Sequence, residues 1–261
     1  MRPERVQIGG DAFHLHARAG QPQMVLLHGL AGHGGEWAAV ANELDAAIGL
    51  VCPDLRGHGD TWLLGTSSTV RSAFVEDVIG LIEMSDAPTV TLVGQSMGGI
   101  IATLVAHARP DLVTHLVLIE AGMGSMHEDD LSRLEAWFGH WPEVFADEAE
   151  ASRFFGADAQ STPAWVAGLR RTAAGLERRF DPDELLRAMG SLATTDRWSE
   201  WSELVMPTTI VTASTSVLQD PEVTQMLTSG PATERIIIED SGHDAHLDQP
   251  ASVARVLAQL Q

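Results

Sequence analysis

The feature that most constrains the fold of this chain is a lone serine between glycines, at the end of an apolar run. The segment Gly94-Gln95-Ser96-Met97-Gly98-Gly99 follows the β-favouring residues 89–93 and precedes residues 100–108, which have a helical pattern. A Gly-x-Ser-x-Gly turn between strand and helix holds its serine in a strained conformation with the hydroxyl exposed, because the glycines let the two backbones approach closely. Ser96 is therefore a candidate nucleophile, and the alternative is a serine that only caps the helix.

Short apolar runs alternate with helical patterns along most of the chain. We predict strands at residues 6–8, 12–17, 24–28, 49–54, 89–93, 115–121, 208–213 and 234–239. We predict helices at residues 36–47, 69–84, 100–108, 221–227 and 250–260. Such alternation is typical of the α/β class, with a mostly parallel central sheet and helices on both faces.

The alternation stops at residues 125–205, which are polar, helix-prone and rich in tryptophan. We predict that this segment is a helical cap inserted into a core formed by residues 1–124 and 206–261. Ten of the 14 aromatic residues lie in it, namely Trp137, Phe138, Trp141, Phe145, Phe154, Phe155, Trp165, Phe180, Trp198 and Trp201. A small subdomain needs its own core, which accounts for half of these residues or more. The underside of a lid also has to be apolar, and this favours bulky hydrophobic ligands.

Four tryptophans are candidates for lining a substrate pocket. Trp137, Trp141 and Trp165 belong to the predicted cap, and Trp37 lies on the first turn of the first helix. For Trp37, a core position is an equally good interpretation.

Composition narrows the classes of partner. The chain has 261 residues, 44% of them hydrophobic, which suits a single α/β domain with an insertion. Its formal charge of −20 opposes binding to nucleic acid and to anionic membranes. The sequence contains no secretory leader pattern and no apolar run of about 18 residues, so we expect a cytoplasmic protein with no membrane partner. Its single cysteine, Cys52, is predicted to be buried in a strand and chemically inert.

Four motifs in fixed order resemble the α/β-hydrolase superfamily over almost the whole chain. They are His28-Gly29-Leu30, the segment Asp54-Leu55-Arg56-Gly57-His58-Gly59, the serine segment, and Gly242-His243 followed by Asp248-Gln249-Pro250. The resemblance implies an α/β-hydrolase fold whose active site lies at the C-terminal edge of the strands. It also implies a nucleophile, an acid and a histidine in that chain order, with no cofactor and no metal ion.

The resemblance indicates which of the eleven histidines acts as the base. A serine hydroxyl needs a base within hydrogen-bond reach to accept its proton. His243 lies in a loop between the last predicted strand and the last helix, where the family places this residue. His28 and His58 belong to loop motifs in which the family uses them structurally. Asp244 and His246, the neighbours of His243, are expected to be solvated loop residues.

Two carboxylates are candidates for the acid that partners the histidine. In the commonest family arrangement an aspartate follows the strand after the cap, but here residues 208–213 run into Ser214-Thr215-Ser216. Asp220 comes later, where it also suits a helix N-terminus. Glu120 ends the strand that follows the predicted helix at residues 100–108, and some branches of the superfamily place their acid on that strand. A carboxylate closing an apolar strand needs a partner such as His243 once it is buried, so we favour Glu120. The absence of any functional acid is the third possibility.

Two backbone amides are the predicted donors of the oxyanion hole. Met97 follows the nucleophile at a helix N-terminus, and family members with a His-Gly-x loop use the residue after the glycine, here Leu30. Their side chains matter less than their N–H groups.

The resemblance implies a serine hydrolase acting on a carboxylic ester or lactone of a small hydrophobic compound, through an acyl-enzyme. Dehalogenases and epoxide hydrolases of this fold use an aspartate nucleophile, and the latter also use cap tyrosines, of which this chain has none. Hydroxynitrile lyases use a lysine that has no counterpart here, because all 16 basic residues are arginine. A carbon–carbon bond hydrolase and a receptor-like protein that binds a ligand without turnover remain as alternatives. Nothing in the sequence indicates the oligomeric state.

Overall fold

The computed structural model describes residues 1–61, 70–85, 87–231 and 233–260. Its eleven strands in this part of the chain are β1 (Arg2–Ile8), β2 (Asp11–Arg18), β3 (Pro22–Leu27), β4 (Gly49–Pro53), β5 (Val90–Gln95), β6 (Val113–Ile119), β7 (Val144–Phe145), β8 (Arg170–Arg171), β9 (Leu176–Glu177), β10 (Thr208–Ala213) and β11 (Thr233–Ile238). The α-helices are α1 (Ala38–Glu43), α2 (Arg71–Met84), α3 (Met97–Ala108), α4 (Glu128–Gly139), α5 (Glu148–Phe155), α6 (Thr162–Ala167), α7 (Pro182–Ala193), α8 (Trp198–Glu203), α9 (Asp220–Ser229), α10 (Ala245–Asp248) and α11 (Pro250–Ala258). Short 3-10 turns lie at Gly34–Trp37, Gly59–Thr61 and Pro110–Leu112.

The central sheet has eight strands in the order β1-β2-β4-β3-β5-β6-β10-β11. The β1–β2 hairpin and the β2–β4 pair are antiparallel, and all other neighbours in this sheet are parallel. The carboxyl ends of the parallel strands therefore meet at one edge, where loops from different parts of the chain come together. The predicted α/β class and mostly parallel sheet are confirmed.

Alternating side chains place two hydrophobic layers on the two faces of the sheet. On β3, Val25 and Leu27 belong to the layer that packs against α2 and α3, whereas Met24 and Leu26 belong to the layer that packs against α1 and α11. This period of two follows from the pleat of a strand. The strands β4 and β5 are buried on both faces, as parallel strands covered by helices are.

The segment between β6 and α8 contains the helices α4 to α7, and its aromatic residues form a hydrophobic cluster. Buried members of this cluster are Phe138, Trp141, Phe145, Leu169, Leu176, Phe180 and Leu185. The end of the segment is different: Ala188, Leu192 and Trp201 are buried in the layer around α2 and α3. These helices thus pack directly on the body of the molecule, and the division at residues 125 and 205 stays a prediction.

A three-stranded antiparallel sheet, β7-β9-β8, also lies in this segment and was not predicted. Each of its strands has two residues, which is too short to show a period of two.

One predicted helix is shorter in the structure, and one predicted strand is shifted by two residues towards the N-terminus. The predicted helix at 36–47 consists of the turn Gly34–Trp37 followed by α1, which ends at Glu43. The predicted strand at 115–121 ends at Ile119, because Glu120 has a φ of 51°, which no strand residue adopts. Residue 69, the predicted first residue of the second helix, lies outside the described residues.

Cys52 is a buried free thiol in β4 whose pKa is raised by burial, in keeping with an inert core residue. None of the helices in the described ranges combines the length and the apolar character that crossing a bilayer requires.

Candidate active site

Ser96 occupies the sharp turn between β5 and α3. Its φ of 50° and ψ of −115° lie in a region that residues with a side chain rarely adopt. The Ser96 N–H donates to the carbonyl of Ile119 at 2.9 Å, and the Ser96 carbonyl accepts from Gly99 at 2.9 Å and Ile100 at 3.1 Å. The first turn of α3 and the neighbouring strand β6 therefore hold the strained residue in place. Ser96 does not act as an ordinary N-cap, because its side chain makes no hydrogen bond to the backbone of α3.

The two glycines that frame Ser96 are required by backbone contacts. A Cβ on Gly94 would overlap the backbone of Gly98, and a Cβ on Gly98 would lie 2.5 Å from the carbonyl oxygens of Leu27 and His28. Real Cβ atoms do not approach backbone oxygens this closely. The glycines thus let α3 begin directly against β3 and β5, as the sequence pattern indicates.

Glu120 is buried at the end of β6, with only 2% of its surface exposed. One carboxylate oxygen, Oε1, accepts hydrogen bonds from the Ala213 N–H at 2.8 Å and the Ser216 hydroxyl at 2.6 Å. The other oxygen, Oε2, accepts from the Val217 N–H at 2.9 Å and lies 3.6 Å from Nδ1 of His243. Both oxygens are therefore held, and the second faces the imidazole.

The surroundings of Glu120 favour its charged form. Burial acts to raise the pKa of this carboxyl, but the interactions with His243, Ser216 and the two backbone N–H groups outweigh it, so the pKa lies below its ordinary value. Glu120 is thus a fixed negative charge beside His243 at neutral pH.

His243 lies in the loop between β11 and α10. Its side chain is 39% exposed, while its Nδ1 atom is buried against Glu120. An Nδ1–H directed at the carboxylate leaves Nε2 as the basic nitrogen, which is the tautomer that a base for a serine hydroxyl requires.

Gln95, the residue before the serine, holds the histidine loop, and sequence reasoning missed it. Its Nε2 donates to the carbonyl of His243 at 2.9 Å and lies 3.5 Å from Oδ1 of Asp244. Gln95 is 2% exposed, and its amide lies where a Cβ on Gly29 would be. The glycine of the His-Gly-Leu motif therefore leaves space for the side chain that connects the serine turn to the histidine loop. The only signal in the sequence was a polar glutamine directly after an apolar predicted strand, inside the serine motif.

Asp220 is placed away from this arrangement. It begins α9 with an 84% exposed side chain, and its Oδ1 accepts from Arg235 at 3.2 Å. Of the two carboxylates that the sequence left open, Glu120 is the one that the structure brings to His243.

The two candidate oxyanion donors both lie near Ser96: Met97 is the next residue, and Leu30 follows Gly29, where a Cβ would lie 3.4 Å from that of Ser96. Met97 is the first residue of α3, so its N–H has no acceptor one turn earlier in the helix. Leu30 follows Gly29 in a turn closed by the Gly32 N–H and the Gly29 carbonyl at 3.2 Å. The next residue, Ala31, has a φ of 62°, which marks this loop as strained as well.

The neighbours of His243 are not the solvated residues that the sequence predicted. His246 is 1% exposed, and its Nε2 lies 3.0 Å from Oε1 of Glu36, which is also buried. Asp244 is partly buried, and burial raises the pKa of its carboxyl. The prediction was wrong because a loop beside a catalytic edge is covered by other loops, here the segment that contains Glu36.

The candidate pocket tryptophans differ in position. Trp37 is fully buried in the layer around α1 and stacks on His246 at 4.5 Å, so it is a core residue and not the wall of a pocket. Trp141 is 6% exposed inside the aromatic cluster, with its ring 5.3 Å from that of Trp137, which is 39% exposed. Trp165 of α6 is the one that reaches the candidate site: its Nε1 donates to Oδ2 of Asp244 at 3.3 Å.

The two faces of helix α6 contact different parts of the molecule. Residues 164 and 165 face the candidate site, because the Ala164 carbonyl lies 3.3 Å from Nε2 of His33 and Trp165 contacts Asp244. The opposite face, with Pro163 and Val166, lines an open cleft of about 900 Å³. The described lining of that cleft includes none of Ser96, Glu120 and His243.

His28 and His58 act structurally, as expected. His28 is fully buried, with its Nδ1 2.7 Å from the Gly29 carbonyl and its Nε2 accepting from the Leu55 N–H at 2.9 Å. His58 is equally buried, and desolvation lowers its pKa to about 3, so it is neutral at physiological pH. Both rings join loops at the carboxyl edge of the sheet.

A family model of the alpha/beta hydrolase family matches residues 24–256. The chain belongs to the alpha/beta hydrolase family. The predicted resemblance is confirmed, and the match spans every residue placed above in the candidate site.

Similar proteins support a hydrolase, with differing substrates. The chain is 26% identical over 258 residues to the pimeloyl–acyl-carrier-protein methyl ester esterase of Vibrio vulnificus strain YJ016, covering 94% of this chain and 96% of that protein. It is 26% identical over 255 residues to the putative carbamate hydrolase RutD of Pseudomonas syringae pv. syringae strain B728a, covering 94% and 95%. Among solved structures, E-2-(acetamidomethylene)succinate hydrolase superposes with a TM-score of 0.88 at 19% identity, covering 99% of this chain and 98% of that one. At this identity the superposition shows the shared fold.

Proposed function

We propose that this protein is a serine hydrolase that cleaves a carboxylic ester or lactone of a small hydrophobic compound through an acyl-enzyme. The observation that carries the proposal is the buried, charged Glu120 facing Nδ1 of His243. The same fold holds Ser96 in a strained conformation at the turn between β5 and α3. The carboxylate accepts three hydrogen bonds from residues 213–217 and faces His243, and a buried charge without such partners would be costly. Orienting and stabilising an imidazole beside a serine is the role that this geometry suits.

The reaction proceeds in two halves. Nε2 of His243 accepts the hydroxyl proton of Ser96 as Oγ attacks the carbonyl carbon, and the N–H groups of Leu30 and Met97 hold the oxyanion. The intermediate collapses by breaking the bond to the alcohol oxygen, which receives the proton from His243. Water then attacks the acyl-serine with the same base, which releases the acid and restores Ser96. Throughout, Glu120 keeps the imidazole oriented and balances the charge of the imidazolium.

The aromatic residues above the site support a hydrophobic substrate. Trp165 lies at the candidate site, backed by Trp141 and Phe155 with ring centroids 5.9 Å and 5.7 Å away. Apolar, aromatic linings with few polar groups are typical of sites for small hydrophobic molecules. The methyl ester esterase named above acts, by its name, on an ester carried by a protein, whereas the aromatic rings around Trp165 suit a small hydrophobic molecule. We therefore favour a free small molecule.

Steady-state hydrolysis of a neutral aryl ester and of an alkyl lactone tests the proposal. We expect turnover that falls at least about 10³-fold in Ser96→Ala, because the nucleophile is lost. Ser202→Ala is the matched control, since this serine lies exposed on α8. A fluorophosphonate should label Ser96, as read by mass spectrometry of the digested protein. Turnover that survives Ser96→Ala would overturn the mechanism, and tight binding without steady turnover would identify a receptor-like protein instead.

A further inference from the structure

Three potential metal ligands that the proposed reaction does not use converge beside the active-site loops. His14 and His16 are two positions apart on β2, so both side chains lie on the same face of the sheet. Asp54 directly follows β4, the strand that pairs with β2, and its N–H donates to the carbonyl of His14 at 2.9 Å. One imidazole nitrogen from each histidine and one oxygen of Asp54 lie within 4.8 Å of one another.

The distance between His14 and Asp54 suits two ligands of one shared ion. Nδ1 of His14 lies 3.5 Å from Oδ2 of Asp54 and 3.8 Å from Oδ2 of Asp60, and this buried nitrogen has no hydrogen-bond partner among the described residues. Two ligand atoms bound at about 2.0–2.1 Å to a tetrahedral Zn²⁺ are separated by roughly 3.3 Å. The gap between His14 and Asp54 is therefore slightly too wide for a hydrogen bond and close to the span of two ligands on one ion.

The carboxylate is held in position before any ion arrives. Asp54 is fully buried; its Oδ1 accepts from the Gly34 N–H at 2.7 Å and its Oδ2 from the Asp60 N–H at 2.7 Å. Outer contacts of this kind orient metal ligands in established sites. Gly35 leaves space for two imidazoles, because a Cβ there would lie 2.9 Å from the ring of His33 and 3.2 Å from the ring of His16.

The donor set indicates the class of ion. Two imidazoles and one carboxylate suit divalent ions of the later first transition row, whereas Mg²⁺ and Ca²⁺ prefer oxygen ligands throughout. We propose that His14, His16 and Asp54 form a binding site for such an ion, with Zn²⁺ as the expected occupant. This departs from the sequence prediction of no metal, because the fold alone brings β2 and the residue after β4 together. The reaction at Ser96 remains metal-free.

The expected role of the ion is structural. Asp54 bonds to Gly34, which belongs to the same loop as the candidate oxyanion donor Leu30. An ion on Asp54 would connect this loop to β2 at a distance of two strand spacings from Ser96 along the order β4-β3-β5, or about 10 Å. We therefore expect the ion to stabilise the fold without being needed for turnover.

Metal titration of tag-free, chelator-treated protein tests the proposal. Isothermal titration calorimetry with ZnCl₂ should give one equivalent bound, and CoCl₂ should give the visible absorption of a nitrogen-ligated Co²⁺ ion. Zn²⁺ at about 100 times its Kd should raise Tm by about 5 °C or more. MgCl₂ at the same concentration should leave Tm unchanged.

His14→Ala and His16→Ala should each weaken Zn²⁺ binding at least about 100-fold and abolish the rise in Tm. His107→Ala is the matched control, because this histidine lies on α3 with its ring 2.9 Å from Glu203. His14→Gln and His16→Gln, which keep a polar side chain of similar reach, carry the test where an alanine variant fails to fold. The site is refuted if the native protein binds no Zn²⁺ at millimolar concentration, or if one equivalent still binds when His14 and His16 are both replaced.

Discussion

Ser96 and Glu120 both have a positive φ, which residues with side chains rarely adopt. Their φ angles are 50° and 51°, and each lies at the carboxyl end of a neighbouring parallel strand. Such a residue costs about 1–3 kcal/mol and persists only where its surroundings hold it. Here the Ser96 N–H donates to the carbonyl of Ile119, the residue before Glu120. The Glu120 N–H in turn donates to the carbonyl of Val211 at 2.9 Å, so β6 holds Ser96 and β10 holds Glu120.

The role of Glu120 predicts a sharp loss of activity on removal of its charge. Glu120→Gln keeps the shape of the side chain but presents an amide to Nδ1 of His243, which disfavours the productive tautomer. We expect kcat for ester hydrolysis to fall by about 10³- to 10⁴-fold, as measured by steady-state kinetics. Circular dichroism should show a folded protein.

Asp220→Asn provides the matched control for this prediction. Asp220 is 84% exposed and pairs with Arg235, so the substitution should leave kcat within about twofold of the native value. A large loss in Asp220→Asn together with a small loss in Glu120→Gln would reverse the assignment of the acid.

At the scale of elements, the site depends on how closely α3 approaches the sheet. The helix starts at Met97, directly after the serine, and Gly98 lies against the carbonyls that end β3. Gln95, at the end of β5, then reaches the loop between β11 and α10. The end of a strand, the start of a helix and a distant loop thus meet within the three consecutive residues 95–97.

Gly98→Ala should therefore destabilise the protein. The new Cβ would lie 2.5 Å from two backbone oxygens, which cannot move without shifting β3. We expect a loss of about 2 kcal/mol or more in the free energy of unfolding, measured by urea denaturation, with loss of turnover.

Gly190→Ala should have the opposite effect and serves as the comparison. Gly190 lies within α7, and a Cβ there would meet nothing within 4 Å. Alanine is the better helix former, so the free energy of unfolding should rise by about 0.5–1 kcal/mol. Equal effects of the two substitutions would contradict the close packing of α3.

At the scale of the whole molecule, buried polar pairs connect segments that are far apart in the chain. Glu36 and His246 are 7% and 1% exposed, and their side chains join the turn before α1 to the helix after His243. Burial acts to raise the pKa of Glu36, but the hydrogen bond and the charge of His246 lower it below its ordinary value. This pair therefore fixes the loop of the candidate base to the body of the molecule.

The lowered pKa of Glu36 makes this stabilisation depend on pH. A carboxyl whose folded pKa is depressed stabilises the fold above its unfolded pKa, about 4.3, and loses that effect as the pH falls through its folded pKa. Glu36→Gln should lower the free energy of unfolding by about 1–3 kcal/mol at pH 7. The difference from the native protein should shrink below about pH 4. Urea denaturation from pH 7 to pH 3 measures it, and a difference that grows towards low pH would contradict the ion pair.

The sequence by itself determined the class of fold and the position of the serine turn, because both depend on local patterns. Alternating apolar runs and helical periods specify strands and helices, and the glycines around Ser96 specify a turn that few other residues allow. Glu120 as the favoured acid also came from a local observation, a carboxylate at the end of an apolar strand. Its role stays a prediction for the kinetics above to test.

Only the tertiary structure decided which side chains meet across the sheet. Gln95 contacts His243, Glu36 contacts His246, and His14 lies beside Asp54, although each pair is far apart in the chain. It also placed Trp37 in the core and left Trp165 at the site. The physical reason is that strand order and loop packing set these contacts, and neither is written in the periodicity of a single segment.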